Sequence, residues 1–311
     1  MKMKHVLQAG LLVTGGVLLI QALRRRDRAK IPIKDKVVII TGAASGIGRS
    51  TAQAFTARQA RVVLADCQAD LLRDLADELG TQSAEVLAVP TDVTDDAQLE
   101  HLVAKTLRAF GRIDVLVNTA GVGRGGALWE LAPEQLHQML QVNLHGAFRL
   151  TQLVLPAMLQ QQSGHIVNMS SASSDLAIQG MSIYTATKAA VYKFSECLRR
   201  ELVGTGVYVS TIHPTTVRTA MTKTIRNTYI ESPEVTPSST AQMFVKSIYE
   251  PEDVAQLVVD AVRYRKRTLF MGGATTATMV AIERLAPSLM DRFLAMLDQG
   301  EILGVSDRFG A

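Results

Sequence analysis

The chain has 311 residues, 47% of them hydrophobic and 20% charged, which fits a folded protein with a large core and excludes a disordered one. Its formal charge of +4 is uneven: residues 1–36 carry nine Lys/Arg against Asp27 and Asp35, so the remainder is net acidic, and no nucleic-acid binding is expected of the body. Cys67 and Cys197 are the two cysteines; they supply neither a disulfide framework nor metal-ligand spacing, and a reducing compartment is the default.

The first element is Val6–Leu23, "VLQAGLLVTGGVLLIQAL", which carries no charge. As a helix it spans about 27 Å, just short of a ~30 Å hydrocarbon core. Arg24–Arg26 follow it directly and no Ala-x-Ala site precedes them, which favours a membrane anchor over a cleaved signal peptide. More basic residues lie after the segment than before it, so the main domain is expected on the cytoplasmic side, with the arginines near anionic headgroups.

Beyond Lys36 short apolar runs alternate with helical patterns. Strands are expected at 37–41, 61–66, 84–92, 113–118, 165–170, 206–214 and 268–272, and helices at 47–59, 69–79, 95–110, 133–160, 182–203 and 251–264. Continuous apolar strands separated by helices point to an α/β fold, a doubly wound, mostly parallel sheet of Rossmann type with helices on both faces. The reading is an anchor and basic flank at 1–31, one domain at 32–275 and a helical extension at 276–311. Two stretches stand outside the alternation. Residues 215–250 form a long excursion after the sixth strand. Residues 276–298 place Ile282, Leu285, Leu289, Phe293 and Met296 at helical spacing, with Pro287 as a break,.

"TGAASGIG" (41–48) joins the first strand to the first helix. Gly42 permits a tight turn, Gly46 and Gly48 permit close backbone approach, and the helix N-terminus offers free N–H groups and a positive dipole end to a pyrophosphate. Ser45 and Ile47 belong to the same cofactor-binding loop. Asp66 ends the second strand about 20 residues later, where a carboxylate accepts from both adenosine ribose hydroxyls and repels a 2′-phosphate. Neighbouring Ala65 and Cys67 bring no compensating cation. NAD(H) is therefore favoured, with NADP(H) as the alternative.

This loop spacing resembles the T-G-x-x-x-G-x-G of the short-chain dehydrogenase/reductase (SDR) family. Further motifs follow in that family's order over about 240 residues. Asp92-Val93 end the third strand, where the resemblance implies adenine contact. Asn118-Thr119-Ala120-Gly121 stand for Asn-Asn-Ala-Gly, one departure in four, with Asn118, Ala120 and Gly121 carried over as cofactor contacts. "VNLHG" supplies Asn143. Ser170-Ser171 end the fifth strand, with Ser171 the thirteenth residue before Tyr184, and Lys188 lies four residues beyond it. Pro214-Thr215-Thr216-Val217-Arg218-Thr219 stands for Pro-Gly-x-Val-x-Thr; Pro214, Val217 and Thr219 carry over as cofactor contacts, and Thr215 replaces the glycine.

The resemblance implies that Asn143, Ser171, Tyr184 and Lys188 interconvert an alcohol and a carbonyl by acid/base-assisted hydride transfer. Tyrosine titrates near 10, so a cation one helical turn away is expected to lower its pKa. Ser171 orients the substrate oxygen, Lys188 also holds the nicotinamide ribose, and Asn143 holds a relay water. Tyr192 is read as structural, His213 as a polar wall of the cofactor site, and Trp129 as packing or a substrate wall. Residues 215–250 are the substrate lid, with Met221, Ile225, Tyr229, Met243 and Phe244 available to line an apolar pocket. The membrane segment favours a lipophilic substrate, by analogy with membrane-anchored retinol, steroid and lipid dehydrogenases of the family. The C-terminal extension suits lid packing, interface contact or a homodimer. A dinucleotide-binding scaffold without turnover is the competing reading, which the intact set of four residues disfavours.

Overall fold

The computed structural model describes residues 30–80, 85–231, 248–272 and individual positions between 276 and 288. The Val6–Leu23 segment lies outside the described residues, as do Met243, Phe244, Leu289, Phe293, Met296 and the side chain of Tyr229. Among the described residues no helix is long and apolar enough to cross a membrane.

Seven strands form one parallel sheet: β1 (Val37–Thr41), β2 (Arg61–Asp66), β3 (Val86–Pro90), β4 (Val115–Asn118), β5 (Gly164–Met169), β6 (Val207–His213) and β7 (Thr268–Phe270). Their order is β3-β2-β1-β4-β5-β6-β7, and every pairing is parallel. The helices are α1 (Gly46–Thr56), α2 (Ala69–Gly80), α3 (Asp96–Phe110), α4 (Pro133–Leu140), α5 (Ala147–Gln160), α6 (Ser182–Glu201), α7 (Ala220–Glu231) and α8 (Pro251–Tyr264). The anticipated sheet and its helices are thus present.

β1 shows why the sheet is covered twice. Alternate side chains point to opposite faces. Val38 and Ile40 pack with Phe55, Leu72, Leu75, Val254 and Val258, which belong to α1, α2 and α8. Val37 and Ile39 pack with Leu99, Leu102, Leu150, Val154 and Leu198, which belong to α3, α5 and α6. A strand apolar on both faces is stable only between two helical layers, which matches its unbroken "VVII".

The chain winds outward from β1 to β3 and then returns to place β4 on the other side of β1. That reversal opens a crevice at the carboxyl ends of β1 and β4. The opposite ends are tied by Asp114, which accepts from Val37 N at 3.0 Å, Lys36 Nζ at 3.1 Å and Arg112 Nη2 at 2.7 Å.

Two elements depart from the sequence expectation. The single helix anticipated over 133–160 is α4, a π turn at Gln141–Gly146, and α5. The excursion after β6 contains α7, whose start is capped by Thr219 Oγ1 accepting from Thr222 N at 3.3 Å. On the C-terminal segment Val280 is buried whereas Leu285 is 86% exposed, so its described apolar positions do not all face the core.

Candidate active site

The crevice between the strand ends is a cleft of about 1030 Å³. Its floor is the turn after β1. Gly42 has φ +64°, and a Cβ there would lie 2.9 Å from Ala120 Cα, so only glycine allows the β1 and β4 ends to close on each other,. Gly46 has φ +50°. A Cβ on Gly48 would stand 2.0 Å from the Gly42 carbonyl oxygen. Three glycines therefore bring the N-terminus of α1 against the turn and leave its N–H groups facing the cleft, the arrangement that suits a pyrophosphate.

Asp66 stands at one wall, nearly buried, with one carboxylate oxygen accepting from Ala44 N at 3.0 Å and the other from Gln68 N at 2.9 Å. These bonds fix the carboxylate at the β2 end and leave lone pairs for hydroxyl donors. Burial, helped by the negative charge of Asp66, raises the pKa of the adjacent Cys67 thiol. Asp92 lines the cleft with Val93, its carboxylate accepting from Thr94 N and Thr94 Oγ1 at 2.9 and 2.8 Å. Ser45, Ile47, Ala120, Gly121 and Thr219 complete the anticipated residues of this lining. Sequence reasoning missed Thr94 and the wall made by Glu134, His137 and Gln141 on α4 and the π turn; only the return of α4 across the crevice brings them there.

Asn118, Pro214 and Val217 are not part of the lining. Asn118 is a buried brace whose Nδ2 donates to Asn168 Oδ1 at 2.8 Å and Thr151 Oγ1 at 3.2 Å. The Pro214 carbonyl accepts from Ala172 N at 2.8 Å, and Val217 bridges Tyr249.

The four residues expected to carry the chemistry are not part of the lining either; Asn143 and Lys188 stand behind Gly121, and Tyr184 beside Gly123. A Cβ on Gly121 would sit 3.3 Å from Asn143 Oδ1 and 3.4 Å from Lys188 Nζ. The π turn directs Asn143 inward, where Oδ1 accepts from Val122 N at 2.8 Å and Nδ2 donates to Val122 O and Thr187 Oγ1 at 2.9 and 3.1 Å. Its side chain is thus engaged in bracing the loop after β4 to α6.

Ser171 Oγ accepts from Ser173 N and Ser173 Oγ at 3.2 and 3.0 Å, so its own proton is left free, and Ser171 is the neighbour whose hydroxyl favours the Tyr184 phenolate. Lys188 Nζ is buried, lies 5.8 Å from the Tyr184 ring centroid and donates to the Met169 carbonyl at 3.1 Å. Burial lowers its pKa to about 8. Burial also pushes the Tyr184 phenol above its ordinary value, against the weaker opposing effect of the Ser171 bond. This reverses the expectation that Lys188 depresses the tyrosine. Lost hydration of the phenolate dominates, while the Lys188 ammonium is directed at the Met169 carbonyl,.

The other assignments fare unevenly. Tyr192 is structural, packing edge-on against His213 with ring centroids 4.8 Å apart. His213 is fully buried behind Ser171 and is not a wall of the cleft. Trp129 is 68% exposed in a short 3-10 turn, so it does not pack against the body.

A family model described as "short chain dehydrogenase" matches residues 36–230. The chain belongs to this family. It is accordingly an NAD(P)-dependent oxidoreductase with a Rossmann-type fold. Dehydrogenase/reductase SDR family member 7B of Danio rerio is 32% identical over 288 residues, covering 91% of this chain and 92% of that protein. A short-chain dehydrogenase/reductase of Burkholderia phymatum solved with NAD matches with TM-score 0.74 and 32% identity, covering 84% of this chain and 96% of that one. Actinorhodin polyketide ketoreductase with NADPH matches with TM-score 0.70 and 32% identity over 76% of this chain and 95% of that one.

Both departures of this dehydrogenase from the family pattern are accommodated. Thr119 Oγ1 donates to the Thr41 carbonyl, while Thr119 N and Ala120 N donate to Thr41 Oγ1 at 3.2 and 3.1 Å, so the turn after β4 is held. Thr215 has no positive φ, so the missing glycine is not required there.

Proposed function

We propose that this dehydrogenase interconverts a lipophilic alcohol and its ketone or aldehyde, of the retinoid, steroid or acyl-lipid class, with NAD(H) preferred. The observation that carries the reading is the convergence of Tyr184, Ser171, Lys188 and Asn143 beside a glycine-floored cleft. The residues present fit a dinucleotide: Gly42, Gly46 and Gly48 keep the turn at the N-terminus of α1 clear of side chains, and Asp66 lines the cleft. Gly42, Gly46 and Gly48 would hold the pyrophosphate, Asp66 the adenosine ribose, Asp92-Val93 the adenine end, and Thr219 the far rim. When bound, the nicotinamide supplies or accepts the hydride.

The rest falls to the chain itself. A phenol is protonated at neutral pH and burial favours that form further at Tyr184, which suits it to donate a proton to a carbonyl oxygen. Ser171 Oγ–H holds the same oxygen in line. Lys188, still mostly charged at neutral pH, adds a positive field beside the phenol and a donor for ribose hydroxyls. Asn143 positions Val122 and Thr187. Met221 and Ile225 supply an apolar lid: a Cβ on Gly123 would lie 2.8 Å from Ile225 Cδ1 and 3.2 Å from Tyr184 Cδ2.

The test is a panel of aldehydes, ketones and lipid alcohols run with NAD(H) and NADP(H), following nicotinamide fluorescence. Turnover is expected in the wild type, and Tyr184→Phe should lose it by about 10²-fold or more while still binding cofactor. Full activity in that variant would sink the assignment. Better use of NADPH would overturn the role given to Asp66. No turnover despite tight cofactor binding would favour a scaffold.

Residues 6–23 act, in this reading, as a membrane anchor that keeps the domain cytoplasmic and near lipophilic substrate. A chain lacking residues 1–29 should leave the membrane fraction. Retention there would disprove the anchor.

A further inference from the structure

Behind Ser171 lies a polar cluster that the reaction does not use directly. His213, at the end of β6, is 0% exposed and its side-chain partner Asp175 only 4% exposed. His213 Nδ1 lies 3.2 Å from the Ser171 carbonyl oxygen, 3.2 Å from Ser174 Oγ and 3.3 Å from Asp175 Oδ2. Ser174 Oγ lies 2.7 Å from the Ser171 carbonyl and 2.9 Å from Asp175 Oδ2. On its other sides the imidazole is sandwiched by Tyr192 and Phe270, with centroids 4.8 and 4.5 Å away.

The proton can be placed from these partners. A carbonyl and a carboxylate oxygen only accept. Nδ1 faces both, so Nδ1 carries a hydrogen. Nε2 is buried and without a partner. The ring is therefore oriented with Nδ1–H toward Ser171 and Asp175 and with Nε2 facing away from them.

We propose that His213, held by Asp175, is a positioning residue for Ser171. Its Nδ1–H grips the main-chain carbonyl of Ser171 and fixes the 3-10 turn Ala172–Ser174. That turn supplies the Ser173 donors that occupy the Ser171 Oγ lone pairs and so turn the Ser171 proton outward, to Tyr184 in the free enzyme and to the substrate oxygen once one is bound. Lys188 Nζ lies 5.8 Å from the Tyr184 ring centroid, and Asp175 supplies the carboxyl behind Ser171. The inference rests on the oxidoreductase reading for its kinetic consequence, but its geometric consequence does not need turnover.

The test compares His213→Phe, which keeps the aromatic packing and loses the donor, with His213→Asn, whose amide nitrogen takes the place of Nδ1, and His213→Gln, whose amide reaches instead toward Nε2. The first readout is the ultraviolet titration of the Tyr184 phenol, taken as the difference from the same background carrying Tyr184→Phe. Losing the Ser171 donor should raise the phenolate midpoint by about half a pH unit or more in the Phe and Gln variants, while Asn keeps the native midpoint. The second readout is kinetic: kcat should fall by about tenfold in the Phe and Gln variants, with KM for the dinucleotide unchanged, and Asn should restore it. Thermal melts and cofactor fluorescence report folding. A folded His213→Phe with native midpoint and kcat overturns the proposal, as does an Asn variant no better than Gln. If His213→Phe does not fold, the Asn–Gln comparison decides. A wild type without turnover would count against the oxidoreductase reading and leave the midpoint comparison to decide this one.

Discussion

An ammonium taken out of bulk water destabilises the fold that buries it, and Lys188 is such a group. Its pKa is pulled from 10.5 to about 8 by burial, so the folded state binds this proton more weakly than the unfolded chain does. Below about pH 8 the full penalty is present. Between that value and 10.5 the unfolded state holds more protons, and stability from this group rises with pH. Lys188→Met removes the charge at similar volume. It should be more stable than the wild type at neutral pH by on the order of 1–3 kcal/mol, with the gap narrowing as pH rises. Denaturant melts at neutral pH and near pH 10 check this. A variant less stable at neutral pH would show that the bond to the Met169 carbonyl outweighs desolvation. Retaining such a residue in a buried place is what a functional role predicts.

At the scale of elements, the β1 turn and the π turn do what no single side chain does. Gly48 lets α1 start directly over the Gly42 carbonyl, with both potential clash partners being main-chain atoms that cannot rotate away. Gly48→Ala should therefore open the turn, with about 1–3 kcal/mol of overpacking strain and loss of most dinucleotide affinity. Thermal melts and cofactor fluorescence would measure the two effects, and native affinity in this variant would refute the cradle. The π turn has a similar place in the fold. Gly146, at its end, approaches Val93 so closely that a Cβ would lie 2.8 Å from the Val93 carbonyl, which locks Asn143 between the loop after β4 and α6. The apolar pattern of 133–160 reads as one helix because the π turn absorbs its extra residue locally, so the helix before it and the helix after it each keep an ordinary apolar face,.

Across the whole molecule, the carboxyl ends of the strands that frame the cleft depend on how their opposite ends are tied. Asp114 is buried at the start of β4, where burial alone would raise its pKa. Bonds from Arg112, Val37 N and Lys36 outweigh that, and the carboxyl titrates below its usual range. A depressed pKa contributes stability above the unfolded value, and that contribution is lost as pH falls through the folded one. Asp114→Ala should cost about 3 kcal/mol at neutral pH, since it leaves buried donors unpaired, and should flatten the acid limb of the stability curve. Urea melts at neutral and acidic pH report both effects. Equal stability of the two chains would mean that the sheet is registered by β1–β4 packing alone.

Much of this was written locally in the chain. Apolar runs such as "VVIIT" and "RVVLAD" became β1 and β2 with their anticipated bounds, because a strand buried on both faces needs no partner information to be recognised. The glycine spacing at 42–48 likewise followed from backbone sterics, and motif order led to the expectation that Asn143, Ser171, Tyr184 and Lys188 form one group. The tertiary structure alone decided what depends on distant segments meeting. It turned Asn118 into a brace against Asn168, removed His213 from the cofactor wall to a place behind Ser171, and brought α4 across the cleft. It also reversed the pKa reading of Tyr184. Spacing along a helix gives the distance from Lys188 to the phenol, but desolvation depends on every element packed around the pair, and that is a property of the fold.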